Sequence, residues 1–233
     1  MYKSKKILAF VPARAGSKRI KGKNNKLLNG IPLFEYSVNI AKESKYIDEI
    51  IVSTDSYAIL ERAHKMGCIK NSLRPDYLSG DKARIIDAIL YEIEENRLNN
   101  YSALVLLQPT FPIRTVDMLD KAIEKYFENE TSLITVVESK EQPVMMRKIE
   151  NGKLNKIISL SSDIRSQDFP KIYKIIGCIY INNLNKISST TVLNENETPF
   201  IIDNKYDVDI DTIEDFNRAE MEIKKWKFIC FIT

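Results

Sequence analysis

Arg14, Lys18, Arg19, Lys21 and Lys23 crowd into one short stretch, P-A-R-A-G-S-K-R-I-K-G-K-N over residues 12–24, interleaved with Gly16, Ser17 and Gly22. Glycine lets backbone amides approach an anion closely, and the cations neutralise it. The chemistry this suits is the holding of a polyphosphate. A second cluster, Asp207-Val208-Asp209-Ile210-Asp211, supplies the opposite charge. Side chains at i and i+2 of an extended segment point to the same side, so Asp209 and Asp211 can converge on one divalent cation. Magnesium takes few carboxylates and completes its shell with phosphate oxygens, which fits such a pair beside a nucleotide. Ser53-Thr54-Asp55 and the run L-L-Q-P-T-F-P-I-R at Leu106–Arg114 are the remaining polar clusters that follow apolar runs.

Each cluster also has a plainer reading. The cationic loop can be a solvated turn whose lysines only flank the fold. Asp211, with Glu214 three residues on, can be a helix N-cap box. Ser53-Thr54-Asp55 can cap the helix that follows it, and Pro109 and Pro112 can be punctuation after a strand. His64, the single histidine, lies beside the apolar Ile59, Leu60 and Ala63 and reads as structural. With no second histidine, histidine-based nucleophilic or acid–base catalysis is disfavoured. A dinucleotide site is disfavoured too, because no G-x-G-x-x-G follows the first strand. No aromatic residues interleave the lysines of 18–26, so stacking on nucleic-acid bases is not supported.

The elements that must position these clusters alternate along the chain. Residues 6–12 read as a first strand that empties into the cationic loop, followed by an amphipathic helix near 33–45. Glu49 to Thr54 reads as a strand, 56–67 as a helix ended by Gly67, and 82–97 as another helix. Ala103 to Leu107 reads as a buried strand, 115–129 as a helix and Leu133 to Val137 as a further strand. Apolar strands separated by helices indicate an α/β fold, a Rossmann-like three-layer body with a mostly parallel central sheet. Such sheets gather ligands at the carboxyl ends of their strands. After Glu138 the rhythm changes. Asn151-Gly152 between two alternating runs predicts a two-residue hairpin within 146–158. Strands follow at Cys178–Asn182 and Pro199–Ile202, and a closing helix at Asp211–Lys227. The chain reads as one domain, 1–233, with an inserted β-rich arm at about 139–180.

Bulk composition agrees with an ordinary globular protein: 233 residues, 44% apolar and 29% charged, with a formal net charge of +3. That small excess argues against a general nucleic-acid binder and leaves the local cationic cluster as the informative feature. Three cysteines, Cys68, Cys178 and Cys230, lack metal-like spacing and read as reduced thiols of a cytoplasmic protein. The apolar runs at 7–11 and 228–232 are too short for a signal-peptide core or a membrane span, so no membrane partner is expected. The second run is expected to pack on the body or on a partner.

In order along the chain, P-A-R-A-G-S-K-R-I-K-G-K-N, I-V-S-T-D, L-R-P, L-L-Q-P-T-F-P-I-R and D-I-D-T resemble the motifs of the sugar-activating cytidylyltransferases. The resemblance is nearest to the acylneuraminate cytidylyltransferases, which make CMP-sialic acids and related CMP-nonulosonates. R-S-Q-D-F-P at 165–170, followed by G-C-I-Y-I at 177–181, resembles that subfamily's R-x-Q-x-x-P and N-G-A-I-Y-I segments. The resemblance implies transfer of CMP from CTP to the anomeric hydroxyl of a nonulosonic acid, with magnesium. Catalytic roles fall to Arg14, Lys23 and Asp211. Contacts to CTP fall to Arg14, Ala15, Gly16, Ser17, Lys23, Asn24, Arg74 and Asp81. Sugar contacts fall to Gln108, Thr110, Arg165, Gln167 and Tyr180, with Arg165, Gln167 and Tyr180 on the arm, and the metal pair is Asp209 with Asp211. A homodimer with the arm crossing between subunits is implied as well. Two departures stand out. Ile176 occupies the place of the asparagine in N-G, and Cys178 that of the alanine. A lost polar side chain implies a more hydrophobic, deoxygenated acceptor of legionaminic or pseudaminic type, and Met145-Met146 stands where a basic contact to the acceptor would be sought. The remaining alternatives are a 3-deoxy-octulosonate cytidylyltransferase and a non-catalytic nucleotide-sensing domain.

Overall fold

Five apolar residues in a row, Ile7 to Val11, have no polar face to turn to water and need cover on both sides. They form β1 (Ile7–Pro12) and are fully buried. In the computed structural model, which describes residues 1–159, 163, 165 and 168–230 with side chains as far as Lys225, β1 lies inside a six-stranded sheet. It is flanked in parallel by β4 (Glu49–Ser53) and β5 (Ala103–Leu106). Beyond β5 come β9 (Tyr173–Asn183), β6 (Leu133–Glu138) and the edge strand β10 (Thr198–Ile202). β9 runs antiparallel to β5 and β6, and the other strands run in one direction.

Alternation along β1 sorts its side chains into two layers. Ile7, Ala9 and Val11 pack with apolar residues of α1 (Leu33–Glu43), α2 (Tyr57–Lys65) and α4 (Val116–Asn129). Leu8 and Phe10 face α3 (Ile85–Glu95). The expected three-layer α/β body with a mostly parallel sheet is therefore what the chain forms. A third cluster joins α5 (Ile213–Cys230) to Val208 and Ile210, to Ile20 of the cationic loop and to Leu28 of the short hairpin β2 (Leu27–Leu28) and β3 (Ile31–Pro32). No helix among the described residues is long and apolar enough to cross a membrane.

The hairpin β7 (Arg147–Glu150) and β8 (Lys153–Lys156) closes at Asn151 and Gly152, whose φ values of 52° and 74° make the expected two-residue turn. The strand expected at 178–182 is longer and starts at Tyr173. Its first three residues, Tyr173 to Ile175, pair alongside the end of β6 but are themselves exposed, so no buried apolar run announces them. Tyr173 to Tyr180, read from sequence as the end of the arm, thus lie in the central sheet. Between Ile134 and Val136 the β6–β9 register shifts, because β9 bulges. Thr135 Oγ1 fills the bulge, donating to the Ile176 and Ile179 carbonyls at 2.9 and 3.2 Å and accepting from Ile179 N at 3.0 Å.

Candidate active site

β1, β4 and β5 end on the same edge of the sheet, and the polar clusters follow them there. Ile20 is the residue that pins the cationic loop. It is buried beside Ile210 and Phe216, so the cations on either side of it are held against the acidic segment. Val208 and Ile210 are buried while Asp209 and Asp211 reach outward, as expected for alternate residues of an extended stretch. Asn24 Nδ2 donates to the Arg14 carbonyl at 2.8 Å and closes the loop on itself. Arg14, Ser17, Lys18, Arg19, Lys23, Asp81 and Asp211 enclose a cleft of about 340 Å³. Two other clefts open at the amino ends of the parallel strands, lined in part by Thr131 and Asn182 and by Asp48 and Cys68, and neither holds such a cluster of cations.

Four cations share two carboxylates in the cleft. Lys23 Nζ donates to the Ile210 carbonyl at 2.6 Å and stands 3.5 Å from Asp211 Oδ1, while Arg19 Nη1 lies 2.9 Å from Asp211 Oδ2. Asp81 takes Lys18 at 2.6 Å and Arg14 Nη1 at 3.4 Å, and the Lys18 bond above all holds its carboxyl below the usual range. Burial pushes Asp209 up. The hydroxyl of Thr110 pulls it down, Asp211 adds like-charge repulsion, and Lys23 draws it down again. The N-cap box expected at Asp211 and Glu214 is instead Thr212 with Asp215: Asp215 Oδ2 accepts from Thr212 N at 2.9 Å, and Asp215 N donates to Thr212 Oγ1 at 3.2 Å. That leaves the Asp211 carboxylate to the cleft. Asp209 and Asp211 supply two hard oxygen donors, and no group of three or more acidic, histidine or cysteine side chains suited to a metal exists among the described residues. Two carboxylates suit a magnesium ion that shares phosphate oxygens, not a closed protein cage.

Asp55 does not cap α2; Ser56 does, accepting from Ile59 N at 3.4 Å. Asp55 Oδ1 accepts from Ala15 N at 2.5 Å and ties β4 to the cationic loop. The backbone at Gly16 is open: a Cβ there would meet no atom within 4 Å. Arg74 is buried against the end of β4. Its Nε donates to Ser53 Oγ at 3.0 Å, its Nη2 to the Ser53 carbonyl, and its backbone N to the Thr54 carbonyl at 2.7 Å. Burial lowers its pKa, and Glu92 and Asp55 oppose that.

Gln108 follows β5 and lies over Gly177. A Cβ on Gly177 would come within 2.5 Å of Gln108 Oε1 and 3.0 Å of Phe111 Cε2, so a larger residue there must push the Gln108 side chain aside. Arg114, which the sequence reading gave no role, holds this turn in place. It is buried and donates to the Gln108 carbonyl at 2.6 Å, the Phe111 carbonyl at 2.8 Å, the Cys178 carbonyl at 3.2 Å and Ser37 Oγ at 2.8 Å. Thr110 turns toward the acidic segment: its carbonyl accepts from Ile210 N at 2.8 Å. A signal for Arg114 did exist, since a lone cation next to buried Ile113 and Phe111 must find carbonyls.

Other expected sugar contacts are placed elsewhere. Tyr180 is not on the arm. It sits in β9 with its ring in the α3-side core and its hydroxyl donating to Asn194 Oδ1 at 2.9 Å. Arg165 is exposed on the connection from β8 to β9, and Gln167 lies outside the described residues. Ile176 is 2% exposed in the core shared with α1 and α4, so its apolar nature serves packing and its side chain does not face a cleft. Ile176 therefore says nothing about the polarity of the acceptor. Cys178 is fully buried in the same cluster. Met145 and Met146 are exposed, as a site on the arm would require.

The cytidylyltransferase family profile matches residues 8–223. A CMP-N,N'-diacetyllegionaminic acid synthase of Legionella pneumophila is 32% identical over 92% of this chain and 95% of its own. A pseudaminic acid cytidylyltransferase of Campylobacter jejuni is 30% identical over 94% of this chain and 97% of its own. An N-acylneuraminate cytidylyltransferase of Escherichia coli is 27% identical over 92% of this chain, which spans 51% of that protein. Among solved structures, the CMP:2-keto-3-deoxy-manno-octonic acid synthetase complexed with CTP superimposes with a TM-score of 0.71 at 14% identity, over 94% of this chain and 99% of that one. At that identity the likeness is one of fold.

Proposed function

The chain belongs to the cytidylyltransferase family, and from that premise we propose that it transfers CMP from CTP to the anomeric hydroxyl of a nonulosonic acid. The observation that carries this reading is the cleft at the carboxyl edge of the sheet in which Arg14 stands against Asp81 and Lys23 against Asp211. The acceptor oxygen attacks the α-phosphorus, the bond from that phosphorus to the β-phosphate bridging oxygen breaks, and pyrophosphate leaves. The acceptor's proton passes to a base. Such transfers ask the protein for position and charge neutralisation more than for covalent work. Arg14, with Ala15, Gly16, Ser17 and Asn24 around it, holds the triphosphate, and Lys23 offsets the charge that grows on departing pyrophosphate. Arg74 and Asp81 border the nucleotide. Asp209 and Asp211 are the residues that would hold magnesium, which supplies charge neutralisation between phosphate oxygens and an anionic acceptor.

Gln108, set over Gly177, is the proposed floor of the sugar pocket, with Thr110, Arg165 and Gln167 as its further candidate contacts; Tyr180, buried against α3, is not among them. A legionaminic- or pseudaminic-type acceptor is favoured by the two relatives at 32% and 30% identity. We read the arm, which ends where β9 begins at Tyr173, as the contact of a homodimer: Ile149, Leu154 and Ile157 are 74%, 71% and 58% exposed. Buried reduced thiols at Cys68 and Cys178 fit the cytoplasm. Pyrophosphate release from CTP, followed with legionaminic, pseudaminic, N-acetylneuraminic and 3-deoxy-octulosonic acids, with and without magnesium, tests the reading. Magnesium-dependent release with a nonulosonic acid is expected. Release with the octulosonic acid alone moves the acceptor class, and CTP binding without release from any acceptor ends the catalytic reading.

A further inference from the structure

Glu92 is 1% exposed, on the face of α3 that otherwise buries Ile86, Ala88, Ile89 and Ile93. A carboxyl group in such a place is costly unless its oxygens are paired. All of its partners are donors. Ser53 Oγ donates to Oε1 at 2.6 Å, and the side-chain amides of Asn71 and Asn96 donate to Oε2 at 3.1 and 3.0 Å. An ionised carboxylate only accepts, so these donors select the charged form even though burial pushes the pKa of the group up.

From Glu92 the bonds run on to Arg74. The Ser53 proton is committed to Glu92, so the hydroxyl turns a lone pair to Arg74 Nε at 3.0 Å. Arg74 Nη2 is taken by the Ser53 carbonyl. Nη1 has no hydrogen-bond partner among the described residues, and no described side-chain nitrogen or oxygen is both buried and unpaired, so Nη1 reaches solvent. Arg74 N donates to the Thr54 carbonyl at 2.7 Å, and Asp55, the next residue, accepts from Ala15 N at 2.5 Å, which places Arg74 beside the cationic loop.

We propose that Glu92 is a positioning residue of the nucleotide site, fixing the Arg74 guanidinium through Ser53 so that Nη1 is presented to the nucleotide. This rests on the proposed CTP site. The oxygen pair of Glu92 sets the direction of the whole chain of bonds. Glutamine in its place carries a donor on one side, which must face either the asparagine amides or the Ser53 hydroxyl, and Ser53 then loses its fixed orientation.

Calorimetric CTP affinity and steady-state constants for both substrates test the proposal. Glu92→Gln is expected to raise the Kd for CTP about tenfold, the loss of one charge-assisted hydrogen bond, with kcat and acceptor KM held within about twofold. Ser53→Ala is expected to do the same without touching α3, which keeps the test alive if the first variant does not fold. In an Arg74→Ala background, Glu92→Gln is expected to add nothing further. A merely structural glutamate would move acceptor and nucleotide constants together. If Arg74→Ala weakens CTP binding while Glu92→Gln and Ser53→Ala do not, the proposal is overturned and the CTP site stands. If Arg74→Ala leaves CTP affinity unchanged, Arg74 is not at the nucleotide, and the proposal falls with that placement.

Discussion

Lys23 Nζ lies 2.6 Å from the carbonyl oxygen of Ile210, a bond between residues 187 positions apart that brings the loop after the first strand against the acidic segment before the last helix. A second proton goes to Asp211 Oδ1 at 3.5 Å, which leaves one for an incoming anion. Lys23→Met keeps the stem and removes the charge. A loss in kcat of about 10²–10³ is expected, the scale for one preorganised donor. Pyrophosphate release gives the rate, and a variant as fast as the parent removes Lys23 from the chemistry.

Asp211 and Thr212 are neighbours with separable tasks. Asp211→Asn is expected to cut magnesium-dependent turnover by orders of magnitude while the melting temperature stays put, because Thr212 and Asp215 cap the helix. Thr212→Ala is expected to do the reverse, costing about 1 kcal/mol of stability with turnover nearly preserved. Thermal melts beside rate measurements on both variants decide it; matching profiles for the two would contradict the division.

Gly177→Ala must displace Gln108, since the new methyl falls 2.5 Å from its side-chain oxygen. The expected result is a KM for the sugar raised about tenfold and a KM for CTP left near its original value. Equal changes in both constants would separate Gln108 from the sugar pocket.

Burial pushes the thiols of Cys68 and Cys178 up to about 11. The raised value keeps both protonated at pH 8, and the thiolate fraction grows only as the pH approaches that value. Iodoacetamide at pH 8 is therefore expected to leave both unmodified in the folded protein and to alkylate both after denaturation. Peptide mass mapping reads this directly, and rapid native labelling of either would refute its burial.

Leu154→Glu places a charge on an exposed apolar residue of the β7–β8 hairpin. If that face is the subunit contact, light scattering shows the mass falling from dimer to monomer. A parent protein already monomeric at high concentration would falsify the dimer.

Strands and helices of the body were legible because their apolar residues repeat at the periods of buried strand and amphipathic helix; β1 and α4 are the plainest cases. The cationic loop and the Asp209–Asp211 pair were legible from charge and spacing. What escaped is what long-range packing decides. Ile176 looked like a pocket residue because its neighbours matched a motif, and only the β9 bulge shows that it points into the core. The start of β9 escaped because Tyr173 and Lys174 are exposed although they pair with β6. Arg114 and Glu92 escaped because a charged residue on an apolar face reads as a break in the pattern until its hydrogen-bond partners are seen.

Glu138 and Tyr173 are partners across the β6–β9 ladder, with Ser139 N bonded to the Ile172 carbonyl at 2.9 Å just outside them. Among the described residues between them, the hairpin β7–β8 forms a two-stranded sheet of its own and adds no strand to the six-stranded one. A turn joining Glu138 directly to Tyr173 would keep the six-stranded ladder, so we expect the stretch to be exchangeable between related enzymes as a cassette. If the hairpin is the subunit contact, such a swap carries self-association with it and leaves the nucleotide grip as it was.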